Sequence, residues 1–150
     1  MDFRIVIDTR EQVPYSFPCA VLSRKLDAGD YSVEGCERRV AVERKSLSDF
    51  AHTVLHDFER FAAELDKLAL MEAACIVVEA DLDAVLRGKH AHSLRAVSPQ
   101  ALLGFAVHLE SRWKVPVHWC GSRQAAIAFT ETYLRAFIRR ITQAGDVAHA

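Results

Sequence analysis

Four side chains near the start of the sequence have the types and spacing that metal-assisted phosphate chemistry needs. Three are the acids Asp8, Asp30 and Glu43, and the fourth is Lys45, two positions beyond Glu43. Residues two apart on a strand point to the same face, so Glu43 and Lys45 are expected to project together. Asp30 begins the strand expected to pair with theirs in a hairpin, which brings two carboxylates and one ammonium group to one spot. Asp8 ends an earlier strand.

Such a group of side chains can support hydrolysis of a phosphodiester. Mg²⁺ prefers oxygen ligands and takes one or two protein carboxylates together with waters and phosphate oxygens. The ion polarises the phosphate and lowers the pKa of a bound water, and a nearby lysine can position or deprotonate that water. An acid followed later by Glu-x-Lys on a strand is the pattern of the restriction-endonuclease-like nucleases. The alternative is a surface strand with a solvated Glu/Lys pair, since the pattern also arises by chance.

Short β-rich segments must position these side chains. Apolar runs and alternation predict strands, and two prolines keep the loop after the first strand from forming a helix. Gly29 and Gly35 lie in the turns on either side of the short strand that Asp30 begins. The predicted strands of this part of the chain are 3–8, 21–26, 31–33 and 39–45, the last two forming the hairpin.

Helices and two more strands follow the hairpin. Ser46 is a good N-cap, with Asp49 three residues on as in a capping box, and apolar residues at steps of three and four predict one helix through about Met71. The remaining predicted elements are a buried strand at 74–80, a short helix at 81–86, a loop at 88–97, a helix at 99–113, a strand at 115–120 and a helix at 122–141. This order predicts an α/β fold, a mixed central sheet flanked by helices. We expect a single domain over residues 1–141 and a frayed tail at 142–150.

Composition limits the functional classes. The chain of 150 residues is 51% hydrophobic and 26% charged, as in a globular protein, and no apolar run is long enough for a membrane span. Its start has no secretion-signal pattern, so we expect a cytoplasmic protein, associated with the nucleoid if it binds DNA. The 4 cysteines show no metal-binding spacing. The net charge of −1 means that binding to nucleic acid must come from local cations and a metal ion.

Three other features could bind a metal ion or DNA, but for each of them a solvated side chain or loop is the favoured interpretation. His52 and His56 have helical metal-ligand spacing, but a solvated pair is favoured because the sequence has no HExxH glutamate there. The basic segment 87–95, with two histidines, is interpreted as a solvated loop, although it could contact DNA. Arg60, on the long predicted helix, could reach DNA, but a solvated side chain is favoured.

Three sequence blocks resemble the XPF family of structure-selective nucleases. They are Ile5-Val6-Ile7-Asp8-Thr9-Arg10-Glu11, then Ala28-Gly29-Asp30-Tyr31, then Val42-Glu43-Arg44-Lys45-Ser46-Leu47-Ser48-Asp49-Phe50. The family signature is an apolar strand ending in D-x-R-E, then G-D-Y, then V-E-R-K-S-x-x-D, in this order. Later segments also resemble the family, so the likeness extends from about residue 4 to residue 141. It implies a restriction-endonuclease-like fold.

The resemblance also implies roles for the residues of these motifs. Asp8, Asp30 and Glu43 would be ligands of Mg²⁺ or Mn²⁺, directly or through water, and Lys45 would be the catalytic lysine. Four further positions would support the site or bind DNA, namely Arg10, Glu11, Arg44 and Asp49. The two arginines have the planar fork that suits phosphate. Asp49 has an equally good structural role at the start of the helix that Ser46 caps.

The implied activity is metal-dependent endonucleolytic cleavage of branched, flap-like or otherwise distorted DNA. The alternative is a non-catalytic DNA-binding or scaffold subunit of a nuclease complex, which should have lost the acids or the lysine, and activity on RNA remains open. The resemblance also implies a homodimer through the C-terminal helices, or an unknown protein partner. The last helix has an apolar side that either forms this interface or is buried in the protein's own core; that side contains Ile127, Thr130, Leu134, Phe137, Ile138 and Ile141.

Overall fold

The fold is built on one mixed sheet, seen in a computed structural model that describes residues 3–94 and 96–149. Its strands are β1 (Arg4–Ile7), β2 (Ala20–Ser23), β3 (Tyr31–Val33), β4 (Val40–Lys45), β5 (Ala73–Val78) and β6 (Val117–Trp119). Their order across the sheet is β2-β1-β3-β4-β5-β6. The central pairs β1–β3 and β3–β4 are antiparallel, and the outer pairs are parallel. The predicted α/β class, the mixed sheet and the hairpin are therefore confirmed.

Helices cover both faces of this sheet. They are α1 (Leu47–His56), α2 (Phe58–Ala69), α3 (Leu82–Leu86), α4 (Ala91–Leu94), α5 (Pro99–Trp113) and α6 (Arg123–His149). On one face, α1, α2 and α5 bury Phe50, Leu65 and Leu109 against the sheet. On the other face, α6 buries Leu134 and Phe137. None of the helices in the described part of the chain is both long and apolar enough to cross a membrane.

Alternation along β4 decides which face carries polar groups. Val40 and Val42 pack in the core on the α6 side, whereas Ala41 packs in the core beneath α1, α2 and α5. Because the side-chain period of a strand is two residues, Glu43 and Lys45 continue the Ala41 face. The end of β4 therefore directs both side chains towards the helical layer that contains α2.

The helix predicted from Ser46 to Met71 is two helices. The predicted start is confirmed, because the Ser46 hydroxyl accepts a hydrogen bond from the backbone N–H of Asp49 at 3.1 Å. The chain leaves helical geometry at Asp57, with φ −136° and ψ 23°, and continues as α2. The apolar period spans the break unchanged, with Phe50 and Leu65 both buried. That continuity is why the sequence pattern indicated one helix.

Other boundaries also differ from the sequence prediction. The strand expected at 21–26 is β2, which ends at Ser23, and the loop expected at 88–97 contains the short helix α4. Arg95, within that segment, lies outside the described residues. The last helix was predicted to end at Ile141, but its backbone continues to His149, so most of the tail expected at 142–150 is helical. Ala150 lies outside the described residues.

The turn before β3 contains Gly29, which packs closely against the neighbouring strand β4. Gly29 has φ +80°, and a Cβ added there would lie 2.8 Å from the Cβ of Ala41. Ala41 is fully buried, so it has little room to move. Gly35, in the hairpin turn, also has positive φ, at +90°, but a Cβ there would meet nothing within 4 Å.

We predict that Gly29→Ala lowers stability more than Gly35→Ala does. Both variants carry the backbone cost of positive φ, about 1–2 kcal/mol. Gly29→Ala adds overpacking against Ala41, which typically costs about 1–3 kcal/mol more. Urea unfolding of the two variants measures the difference in unfolding free energy. Equal losses of stability would show that Ala41 moves aside without a measurable cost.

Candidate active site

Adjacent strands bring the predicted acids to one end of the sheet. Asp8 follows β1, Asp30 precedes β3 and Glu43 lies near the end of β4. The backbone N–H of Asp8 donates to the carbonyl of Asp30 at 2.9 Å, and the N–H of Asp30 donates to the carbonyl of Val42 at 2.9 Å. The ladder bonds of the sheet thus fix the three acids relative to one another.

The acids and Lys45 line an open pocket between this end of the sheet and α2. Its volume is about 290 Å³. The lining residues from the sheet side are Asp8, Arg10, Gly29, Asp30, Glu43 and Lys45, and those from the helical side are Asp57, Arg60, Phe61 and Glu64. The structure therefore brings together all four residues predicted to carry the chemistry.

Asp30 and Glu43 form the centre of the pocket. Their carboxyl groups lie within hydrogen-bonding reach of each other. Burial, followed by repulsion from Glu43, raises the pKa of Asp30 well above its usual range. Burial also raises the pKa of Glu43, although Lys45 opposes this shift. Two acids held so close cannot easily both be charged without a cation between them.

Lys45 supplies a cation beside this pair. Its Nζ lies 3.8 Å from a carboxylate oxygen of Glu43, and its side chain is only 15% exposed. The same Nζ lies 4.6 Å from the centre of the Phe61 ring, on α2. Phe61 is itself buried, so the lysine is held between the sheet and the helix. The ammonium group is thereby kept at the pocket instead of extending into solvent.

Asp8 is held by Arg10 at the edge of the pocket. Arg10 Nε lies 2.7 Å from one carboxylate oxygen of Asp8, and the backbone N–H of Leu26 donates to the other at 2.8 Å. Burial acts to raise the pKa of Asp8, but the hydrogen bonds from Arg10 and Leu26 outweigh it and the pKa is lowered. Asp8 is therefore a fixed negative charge with both oxygens already in hydrogen bonds.

Glu11 joins the cluster from the loop after β1. It accepts a hydrogen bond from the hydroxyl of Tyr31 at 3.1 Å and lies within reach of Asp30. Burial, followed by repulsion from Asp30, raises the pKa of Glu11 to about 7. Tyr31 also accepts a hydrogen bond from the backbone N–H of Tyr15 at 2.9 Å. Glu11 is thus packed behind Asp30, where it supports the site from the α6 side.

Arg44 is turned away from the pocket. Its guanidinium donates two hydrogen bonds to Glu79, both at 2.9 Å, and lies 6.0 Å from the centre of the Tyr15 ring. Glu79 also accepts from the Tyr15 hydroxyl at 2.5 Å, and Arg123 approaches it to 3.7 Å. We expected Arg44 to meet phosphate, but its contacts tie β4 to the end of β5. Its backbone N–H does serve the site, donating to Asp30 Oδ2 at 2.7 Å.

Asp49 lies outside the carboxylate pocket among the described residues. It is at the start of α1, where its backbone N–H meets the Ser46 cap. It lines a separate surface hollow with His52 and His56. The two imidazole rings are 5.1 Å apart. This placement favours the structural role of Asp49 over a role at the pocket.

The sequence did not predict that Glu64 and Asp57 contribute to the site, and it favoured a solvated side chain for Arg60. Glu64 Oε1 accepts a hydrogen bond from the backbone N–H of Gly29 at 2.8 Å. Asp57 and Arg60 line the same pocket. Within the described residues, Arg60 is the one cation of the pocket lining without an ion-pair partner. Polar residues at steps of three and four on a helix share a face, and this pattern was the available signal.

A divalent metal ion fits the pair of acids at the centre of the pocket. Within residues 3–94 and 96–149, no three acidic, imidazole or thiol side chains converge closely enough to hold an ion unaided. Mg²⁺ does not need three, because it commonly uses one or two carboxylates and keeps several waters. Asp30 and Glu43 supply two close carboxylates whose repulsion a cation would relieve. Asp8, engaged by Arg10, suits contact through water.

Comparisons with known proteins agree with this architecture. Residues 7–133 match the family model of the ERCC4 domain. The fold resembles XPF from Aeropyrum pernix, with a TM-score of 0.69 and 22% identity over 95% of this chain and 69% of that chain. A structure of XPF from Aeropyrum pernix in complex with DNA gives a TM-score of 0.68 and 21% identity over 92% of this chain and 66% of that chain. No curated protein matches the chain in sequence.

We predict that Arg44→Lys lowers stability by about 1–3 kcal/mol, because lysine cannot make the paired hydrogen bonds to a half-buried Glu79. Arg39→Lys is the matched control. Arg39 makes the same two-bond contact with Glu72 at 2.9 and 3.0 Å, but on the exposed surface. Arg39→Lys should change stability much less, because exposed ion pairs contribute little. Denaturant unfolding measures both, and similar losses would mean that burial adds nothing to the Arg44 pair.

Proposed function

Because the chain belongs to the ERCC4 domain family, which confirms the resemblance found in its motifs, we propose that it is a metal-dependent DNA endonuclease. The observation that supports this most directly is the contact between Asp30 and Glu43 with Lys45 beside them. Two buried acids in repulsion and a lysine in one pocket have no evident structural purpose. They match what hydrolysis of a phosphodiester requires.

We propose that Asp30 and Glu43 bind Mg²⁺ or Mn²⁺ directly and that Asp8 acts through a water. When bound, the ion would polarise the phosphate and lower the pKa of a coordinated water. The protein's own contribution is to hold the two carboxylates at a fixed separation on paired strands. Arg10 keeps Asp8 charged and oriented, and Glu11 packs behind Asp30.

We propose that Lys45 is the catalytic lysine. Its ammonium group can hold the attacking water and offset negative charge that develops on the phosphate oxygens. Hydrolysis adds water across one P–O bond, so that the water oxygen bonds to phosphorus and the leaving ester oxygen gains a proton. The contact with Phe61 limits the motion of Lys45 and keeps the ammonium group in the attack region.

DNA is the proposed substrate, in branched, flap-like or distorted form. A net charge of −1 cannot attract a polyanion, so binding must rely on local cations and the metal. Arg60 and Lys45 present such cations at the pocket. XPF from Aeropyrum pernix, whose fold this chain shares, has been solved in complex with DNA. Its complex supports DNA over RNA as the first substrate to test.

A homodimer through the C-terminal helices, or a complex with an unknown protein partner, also remains a proposal. The large apolar residues Leu134 and Phe137 of α6 are buried in the protein's own core. Ile127, Ile138 and Ile141 are only partly buried. An interface along α6 would therefore use these half-covered side chains and not the main apolar stripe.

We predict that Glu43→Gln abolishes metal-dependent cleavage while keeping or raising thermal stability. Loss of a group that merely supports a metal ligand costs about 10–100-fold, so loss of the ligand should lower the rate by more than about 100-fold. The amide also removes repulsion with Asp30. Cleavage of labelled flap, fork and duplex DNA, with Mg²⁺, Mn²⁺ or EDTA, measures the first effect, and thermal unfolding measures the second.

The control for this experiment is Glu59→Gln, an exposed position on α2 that does not line the pocket. It should cleave like the wild type. Folded wild-type protein that binds DNA but cuts no substrate would contradict the proposed activity and favour a non-catalytic DNA-binding subunit. Cleavage of RNA but not DNA would correct the substrate.

We predict that Lys45→Ala lowers the cleavage rate at saturating metal and DNA, because the residue acts on the reacting water. The decrease expected for loss of such a group is about 10²–10³-fold. Lys89→Ala, in an exposed segment, is the control and should leave the rate unchanged. Single-turnover kinetics separate this effect from binding. An unchanged rate with weaker DNA affinity would make Lys45 a binding residue only.

A further inference from the structure

Glu64 reaches from α2 across the pocket to the turn that precedes Asp30. Its Oε1 accepts a hydrogen bond from the backbone N–H of Gly29 at 2.8 Å. Glu64 lies in the middle of α2, with its neighbours Phe61 and Leu65 buried in the core. A carboxylate on such an anchored helix is a rigid support. The helix and the turn are joined by this bond across 35 residues of sequence.

The turn that receives this bond is also held by close packing of Gly29 and by backbone hydrogen bonds of Asp30. Gly29 lies so close to Ala41 that no side chain fits. The next residue, Asp30, donates its N–H to Val42 and accepts at its carbonyl from the N–H of Asp8. The N–H of Gly29 points the other way, into the pocket, where Glu64 meets it. Among the described residues, Glu64 is the side chain that bonds to the backbone of Gly29 and Asp30, whereas Lys67 Nζ, also on α2, lies 3.4 Å from the carbonyl oxygen of Asp27 earlier in the turn.

We propose that Glu64 is a positioning residue that holds the carboxylate of Asp30 against Glu43 in the arrangement that binds a divalent cation. This inference rests on the metal dependence proposed above. Glu64 acts through the peptide between Gly29 and Asp30, so it does not need to touch the ion. It also adds negative charge near Glu43, which favours a cation in the pocket. A residue that only stabilised the turn would change the unfolding free energy but not metal affinity.

The experiment is a calorimetric titration of the whole chain with Mn²⁺ in the absence of DNA. Glu64→Ala removes the acceptor, and we expect Mn²⁺ binding to weaken by about tenfold or more, as for other residues that orient a metal ligand. Glu64→Gln keeps an oxygen that can accept from Gly29, and we expect it to stay within about threefold of the wild type, since only the charge assistance is lost. Glu59→Ala, exposed on the same helix, is the control.

The second readout is cleavage as a function of Mn²⁺ concentration. In Glu64→Ala the metal concentration for half-maximal rate should rise, whereas the rate at saturating metal should approach that of the wild type. Glu64→Asp, which is too short to reach Gly29, should behave like Glu64→Ala and serves if the alanine variant does not fold.

Each result decides the inference. Unchanged Mn²⁺ affinity in folded Glu64→Ala overturns it, and so does a Glu64→Gln variant as weak as the alanine variant, since charge and not the hydrogen bond would then matter. A wild type that binds no Mn²⁺ overturns it as well, whether or not it cleaves. If the variants differ in Mn²⁺ affinity as expected but the wild type cuts nothing, the inference stands and the proposed endonuclease activity fails.

Discussion

The repulsion between Asp30 and Glu43 is the constraint around which this end of the protein is built. Left alone, two buried acids would move apart or remain protonated. The antiparallel pairing of β3 and β4 prevents this separation. Tyr31 is opposite Val42, and the backbone N–H of Asp30 donates to the carbonyl of Val42, so the position of Asp30 is fixed. The N–H of Arg44 and the ammonium group of Lys45 offset part of the charge. The fold thus maintains an arrangement that is unfavourable locally, which is consistent with the cation site proposed above.

Arg10 and Arg44, the two arginines of the motif region, make different contacts, and residue type alone does not predict this difference. Arg10 pairs with Asp8 at the pocket edge, whereas Arg44, next to Glu43 in sequence, pairs with Glu79 on the opposite face. Strand alternation accounts for the placement of Arg44, because neighbouring residues on β4 point to opposite sides of the sheet, whereas Arg10 lies in the turn after β1. Arg44 then joins β4 to β5 and encloses Tyr15, and its planar group is used for protein structure. Among the described residues that line the pocket, the cation without an ion-pair partner is Arg60, which lies on α2.

The sequence predicted the local features of the site and missed those that depend on distant contacts. The hairpin, the Ser46 cap and the convergence of Asp30, Glu43 and Lys45 follow from short periodicities. The break at Asp57 was missed because the apolar pattern continues through it. The pairing of Arg44 with Glu79 and of Glu64 with Gly29 joins residues that are each 35 positions apart. No local rule specifies such pairs, since they depend on how the layers pack.

One register of the β3–β4 hairpin serves both the core and the pocket. A slip of one residue would turn Val42 into the pocket and Glu43 into the apolar layer under α6. A misaligned sheet would therefore misplace the core and the acids together, and correct burial of the core places Glu43 at the pocket. A substitution that preserves the packing of Val42 under α6 therefore also preserves the position of Glu43 at the pocket.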